Sequence, residues 1–92
     1  MGLDFKAANA RILDSIHTIC RKYLPRGRQQ GDWWVACVPW RDDRTPSLGV
    51  SLTTGRWKDF GRPGDGGDAV DLLAKLQNTQ PADIVRQVLG SD

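Results

Sequence analysis

The chain has no glutamate, a single histidine, a single methionine and two cysteines in 92 residues, and these shortages narrow its chemistry before any pattern is read. All eleven acids are aspartate, an asymmetry for which the sequence offers no physical reason. One histidine, His17, leaves no persuasive Ser–His or Cys–His pair for nucleophilic catalysis. No stretch reads as a secretory signal or a membrane span. A cytoplasmic protein without a membrane partner is therefore expected, with Cys20 and Cys37 as thiols rather than a disulfide. Repeats, low-complexity tracts and linkers are absent too, which leaves residues 1–92 as one domain. So small a core is near the limit of independent stability, and a metal or disulfide staple would be expected to support it.

What is present is organised by periodicity. Between Leu3 and Tyr23 the apolar residues Phe5, Ala8, Ile12, Ile16, Ile19, Cys20 and Tyr23 recur every three or four positions, the stripe of one amphipathic helix. Pro25 and Gly27 end it, and Arg26 to Asp32 reads as a polar hinge. Trp33 to Val38 is an aromatic and β-branched run, a strand that Pro39 closes or places at an edge. Leu48, Val50 and Leu52 alternate with Ser47, Gly49 and Ser51, as in a strand with one buried face. Thr53-Thr54-Gly55 then turns the chain into a third strand, Arg56 to Phe60. The glycine-rich loop Gly61 to Gly67 ends at Asp68, suited to cap a helix with an apolar side of Ala69, Leu72, Leu73 and Leu76. Thr79 and Pro81 open a last short helix over Ile84, Val85 and Val88. The predicted fold is α+β: an N-terminal helix, a three-stranded antiparallel sheet and two C-terminal helices.

Net charge is only +2, yet the middle of the chain is strongly basic. From Arg21 to Arg62 nine lysines and arginines stand against four aspartates, a candidate surface for anions.

Two motif pairs carry a family resemblance. The first is Trp34-Val35-Ala36-Cys37-Val38-Pro39-Trp40-Arg41, followed by Arg44-Thr45-Pro46-Ser47. The second is Asp59-Phe60-Gly61-Arg62, followed by Gly66-Gly67-Asp68-Ala69 after a loop one residue longer than the family's. In order and spacing they resemble the amino-terminal zinc-binding domain of bacterial replicative primases, over nearly the whole chain. That family reads Tyr-Val-Gly-Leu-Cys-Pro-Phe-His, then Thr-Pro-Ser, then Cys-Phe-Gly-Cys and Gly-Gly-Asp-Ala. The resemblance implies a zinc-ribbon-like sheet. On its register the four zinc positions fall on Val38, Arg41, Asp59 and Arg62, of which only Asp59 is a zinc-ligand type. Cys37 stands one place early, which in a strand turns its side chain to the opposite face, so it reads as a core thiol.

No cofactor is therefore expected, and the chain reads as a member that has lost its zinc ligands. A structural zinc is worth roughly 10 to 16 kcal/mol of coupled folding. In its place an ion cluster of Arg41, Asp59 and Arg62 is expected to bridge the two loops, with burial of tryptophan supplying the remainder. The competing possibility is a zinc site built from His17, Cys20, Cys37 and an aspartate.

In primases the domain resembling this one engages single-stranded template and helps select the start site, without polymerase chemistry of its own. Basic grooves flanked by aromatic faces suit that task. The candidate nucleic-acid-binding residues are Trp34, Trp40, Arg41, Arg44, Arg56, Trp57, Lys58 and Arg62. At most one of Trp33 and Trp34 can face outward, and Trp40 and Trp57 fit either core or surface. Asp65, Asp68 and Asp71 read as a loop and helix cap rather than a magnesium site, and Gly61 to Gly67 lacks the Lys-Ser/Thr pair of a Walker loop. The expected protein is a non-enzymatic, single-stranded-DNA-binding accessory module of DNA replication. It would act beside a primase catalytic subunit, helicase or other replication protein, in a mobile element such as a plasmid or phage. The alternative is a protein-interaction module that docks on a replication or mobile-element partner through the same tryptophans.

Overall fold

The structure is a computed structural model, which describes residues 3–40, 44–62 and 64–90. Two helices open the chain, α1 (Phe5–Asp14) and α2 (Ile16–Tyr23). Asp4 caps the first by accepting the Ala7 N–H at 2.9 Å. One helix was expected here, and the stripe of Ala8, Ile12, Ile16 and Cys20 does stay buried across both. The interruption falls at Ser15, with φ −118° and ψ 17°. Asp14 and Ser15 are poor helix formers whose side chains compete for backbone groups, and apolar periodicity is blind to them. α2 stops at Leu24, where the following Pro25 disfavours further helix.

Five strands follow instead of the three expected: β1 (Arg28–Gln30), β2 (Trp33–Ala36), β3 (Leu48–Ser51), β4 (Trp57–Asp59) and β5 (Gly66–Gly67). They form one antiparallel meander in the order β1-β2-β3-β4-β5. The extra strands are the two edges. β1 lies in the segment read as a polar hinge, and it is exposed along its whole length, so no apolar alternation marks it. The two-residue Gly31-Asp32 turn joins it to β2, with Gly31 at φ +60°. β5 is only two glycines, taken from the loop read as a turn. Between β3 and β4, Ser51 Oγ accepts the Thr53 and Thr54 N–H groups at 3.3 and 3.1 Å, fixing the predicted turn.

Two helices complete the chain as expected, α3 (Ala69–Gln77) and α4 (Pro81–Leu89). Asp68 caps α3 through the Asp71 N–H at 2.9 Å, and its other oxygen accepts Asn9 Nδ2 at 3.0 Å. Asn9 Oδ1 in turn accepts the Val70 N–H at 2.8 Å, which ties α1 to the start of α3. α1 packs on both α3 and α4.

Strand alternation divides the sheet into two faces. Trp34, Val50 and Trp57 lie side by side on the inner face, next to Ala36 and Leu48, and join Ile12, Val70, Leu72 and Ile84 in a single core. The other face is not covered by the helices, and across it runs the row Arg28, Val35, Gly49, Lys58 and Gly66, one residue from each strand. Among the described residues no helix is long and apolar enough to cross a membrane.

Candidate nucleic-acid interface

The register decides which tryptophans can meet a ligand. Trp34 and Trp57 point inward and are 7% and 2% exposed, so both are core residues with no face to offer. Trp34 Nε1 donates to the Leu24 carbonyl at 3.1 Å, and the ring meets His17 edge-on at 5.7 Å between centroids. Trp57 carries a buried Nε1–H with no hydrogen-bond partner among the described residues, a cost the fold bears for this ring. Trp40 is half-buried and lies on the helical side, edge-on to Trp57 at 5.3 Å and beneath Lys75 Nζ at 5.3 Å. Of the three tryptophans expected at the interface, none therefore stands on the open sheet face.

The outward aromatic residues are Trp33, the member of the Trp33-Trp34 pair that was not chosen for the interface, and Phe60, which was not expected there. They are 38% and 64% exposed. Both rings lie over Gly49: a Cβ added there would come within 2.9 Å of Phe60 Cε2 and 3.3 Å of Trp33 Cε3. The signal for them was strand alternation, since inward Trp34 and Trp57 force Trp33 and Lys58 outward and Phe60 follows Lys58 by two.

Of the expected basic residues, Arg56 and Lys58 come together in an open groove that Trp33 and Phe60 also line. Asp32 and Asp65 line the same groove. Arg28, not expected, joins Lys58 in the outward row across the sheet. Arg44 and Arg62 are exposed but do not line the groove, and Arg41 lies outside the described residues. Between described residues the one ion pair joins Arg86 and Asp83 at 3.1 Å, so Arg28, Arg44, Arg56, Lys58 and Arg62 pair with no acid there. Cations free of internal partners keep their charge available to an external anion.

Of the four positions that resemble a zinc site, Val38, Asp59 and Arg62 lie among the described residues. Val38 is a core residue, 2% exposed. Asp59 is 2% exposed, and its Oδ1 accepts the Gly61 N–H at 2.9 Å and Ser47 Oγ at 3.4 Å. Arg62 projects into solvent, and its backbone N–H donates to the Asp59 carbonyl at 3.1 Å. The expected ion cluster thus has Asp59 buried and Arg62 exposed, with Arg41 outside the described residues. These side chains do not fit zinc, which takes four thiolate, imidazole or carboxylate ligands. The substitute set does not assemble either: among the described residues no three of His, Cys, Asp or Glu cluster closely enough to hold a metal. Cys20 is fully buried, and that burial pushes its thiol up to about 12, away from the thiolate a metal requires. Cys37, expected in the core, is half-buried.

Four helices and a five-stranded antiparallel meander define the class as α+β. The chain belongs to the DnaG-type zinc ribbon family, described as the CHC2 zinc finger, whose model matches residues 6–91. Among solved structures it is similar to the Aquifex aeolicus primase, in a crystal structure comprising its zinc-binding and RNA polymerase domains, with a TM-score of 0.75 at 24% identity. That match covers 99% of this chain and 22% of the Aquifex chain, so the two share the fold of one domain. A comparison with curated proteins finds no match.

Proposed function

We propose that this domain is a zinc-free, non-catalytic module of DNA replication that holds single-stranded DNA on the open face of its sheet. It would serve a primase catalytic module, a helicase or another replication protein in the cytoplasm. The observation that carries this reading is the set of basic side chains on and beside that face, Arg28, Arg56 and Lys58, none paired with an acid among the described residues. Family membership in the primase zinc ribbon supports it, as does the fold shared with the Aquifex primase.

The zinc-free part rests on the donor chemistry at Val38 and Asp59, one apolar and one occupied by its own hydrogen bonds. The non-catalytic part is supported by the engagement of Asp68, which ends the glycine loop. Asp68 is held by the Asp71 amide and by Asn9, as a cap rather than an open metal ligand.

Binding driven by phosphate contacts weakens steeply with salt, by a slope of about 0.7 per contact for a single strand. Titration of the domain with a single-stranded oligonucleotide at several salt concentrations should show that dependence. Arg56→Ala and Lys58→Ala should each flatten the slope by about one contact and weaken binding without regard to base sequence. Absence of binding at low salt would overturn the proposal and leave the face to a protein partner.

A further inference from the structure

The outward rings of Trp33 and Phe60 are the largest apolar surfaces the sheet face leaves in water. Large aromatics on an open sheet cost hydration, and here a glycine makes room for both. Gly49 is the only central-strand residue of the outward row without a side chain, and it is buried although it points away from the core. What buries it is the pair of rings, since an added Cβ would touch Phe60 at 2.9 Å and Trp33 at 3.3 Å. Even an alanine at this position would make the Phe60 ring shift. Lys58 and Arg56 border the same groove with no acidic partner among the described residues.

We propose that Trp33 and Phe60, laid side by side over Gly49, form a stacking platform for unpaired bases of a single nucleic-acid strand whose phosphates are held by Lys58 and Arg56. The inference rests on the strand-binding proposal and adds to it that the bases, not only the backbone, are bound. An apolar face with cations at its border matches a base with its phosphates in a way that a double helix, with its bases stacked inside, does not. Stacking on such a ring is sequence-tolerant, because every base has a π-face.

The test uses the unmodified chain first. An oligonucleotide and its base-free counterpart, with the same sugar-phosphate length, are titrated at fixed salt while tryptophan fluorescence is recorded. Trp33 is the one tryptophan on the open face, so quenching on binding reports its ring. The base-free strand should bind about tenfold more weakly or worse. Trp33→Ala and Phe60→Ala should each lose on the order of tenfold while the salt slope stays unchanged, and Trp33→Phe should retain affinity but lose the quenching. Thermal melts of the same variants confirm that they are folded.

Equal affinity for intact and base-free strands would overturn the platform while leaving phosphate-driven strand binding in place. A lowered melting temperature with unaltered affinity would overturn it too, making the rings a cover for Gly49 alone. Failure of any strand to bind at low salt would overturn both proposals together.

Discussion

Asp59 Oδ1 accepts the amide N–H of Gly61, two residues ahead, at 2.9 Å, closing the turn from Asp59 to Arg62 on itself. A side-chain acceptor that meets the amide two residues on is the geometry by which aspartate shapes turns. In a metal-bound ribbon the ion would join this turn to the facing one; here Ser47 Oγ reaches the same Asp59 oxygen at 3.4 Å, and the Phe60 N–H donates to the Ser47 carbonyl at 2.7 Å. Asp59→Ala should remove the charged acceptor that the Gly61 amide and the Ser47 hydroxyl share in a part-buried turn, at a cost of about 2 kcal/mol. In a domain of this size that is roughly a 10 °C fall in melting temperature. Asp59→Asn keeps an acceptor oxygen and should recover much of the loss. An unchanged melt for Asp59→Ala would remove this residue from the stability of the turn.

Metal removal tests the same substitution from the other side. Where zinc is structural it contributes roughly 10 to 16 kcal/mol, and chelators unfold such domains. Here a strong chelator should leave both the melting temperature and the circular dichroism unchanged, and metal analysis of protein purified without chelator should give far less than one zinc per chain. Stoichiometric zinc would overturn the zinc-free reading.

Gly27 carries a third expectation. A Cβ at this position would collide with the indole of Trp34, whose Nε1 donates to the Leu24 carbonyl at 3.1 Å. The same carbonyl accepts the Gly27 N–H at 2.9 Å, so loop and ring are locked into one arrangement between α2 and β1. Gly27→Ala must displace a ring that is 7% exposed in the core. Overpacking of this kind costs about 1 to 3 kcal/mol, measurable as a lower midpoint in chemical denaturation, with altered near-ultraviolet dichroism from Trp34. A variant as stable as the parent would show that the loop yields at no cost.

The elements with apolar periodicity were legible in the sequence, and those without it were not. Leu48 and Val50 announced β3, and Asp68 announced the α3 cap. The edge strands Arg28–Gln30 and Gly66–Gly67 have no buried side to reveal them, and their pairing is set by the neighbouring strands. The break at Ser15 was hidden because the buried stripe runs through it. At the surface, basic Arg56 and Lys58 were found by composition, but the aromatic residues were chosen by residue type rather than by face. Residue type favoured Trp34, Trp40 and Trp57, whereas register turns Trp33 and Phe60 outward. Which ring of a Trp-Trp pair faces solvent depends on the register against β3, a long-range fact that neither residue carries locally.

Asp71 gives the last expectation, a dependence of stability on pH. Its carboxylate lies against Gly67, and burial there, followed by the nearby charge of Asp68, raises its pKa above the ordinary 3.8, while Lys75 opposes the shift. A raised folded-state value means that the native chain holds this proton more tightly than the unfolded chain. The contribution of Asp71 is then fullest below 3.8 and is lost as pH rises through the folded-state value. Asp71→Asn removes the titration but keeps a polar side chain in the first turn of α3. Melting temperatures of the variant and the parent, taken from pH 3 upward, should therefore diverge in favour of the variant as pH passes about 4 and run parallel near neutrality. A difference that stays constant across this range would show that Asp71 titrates alike in the folded and unfolded chains.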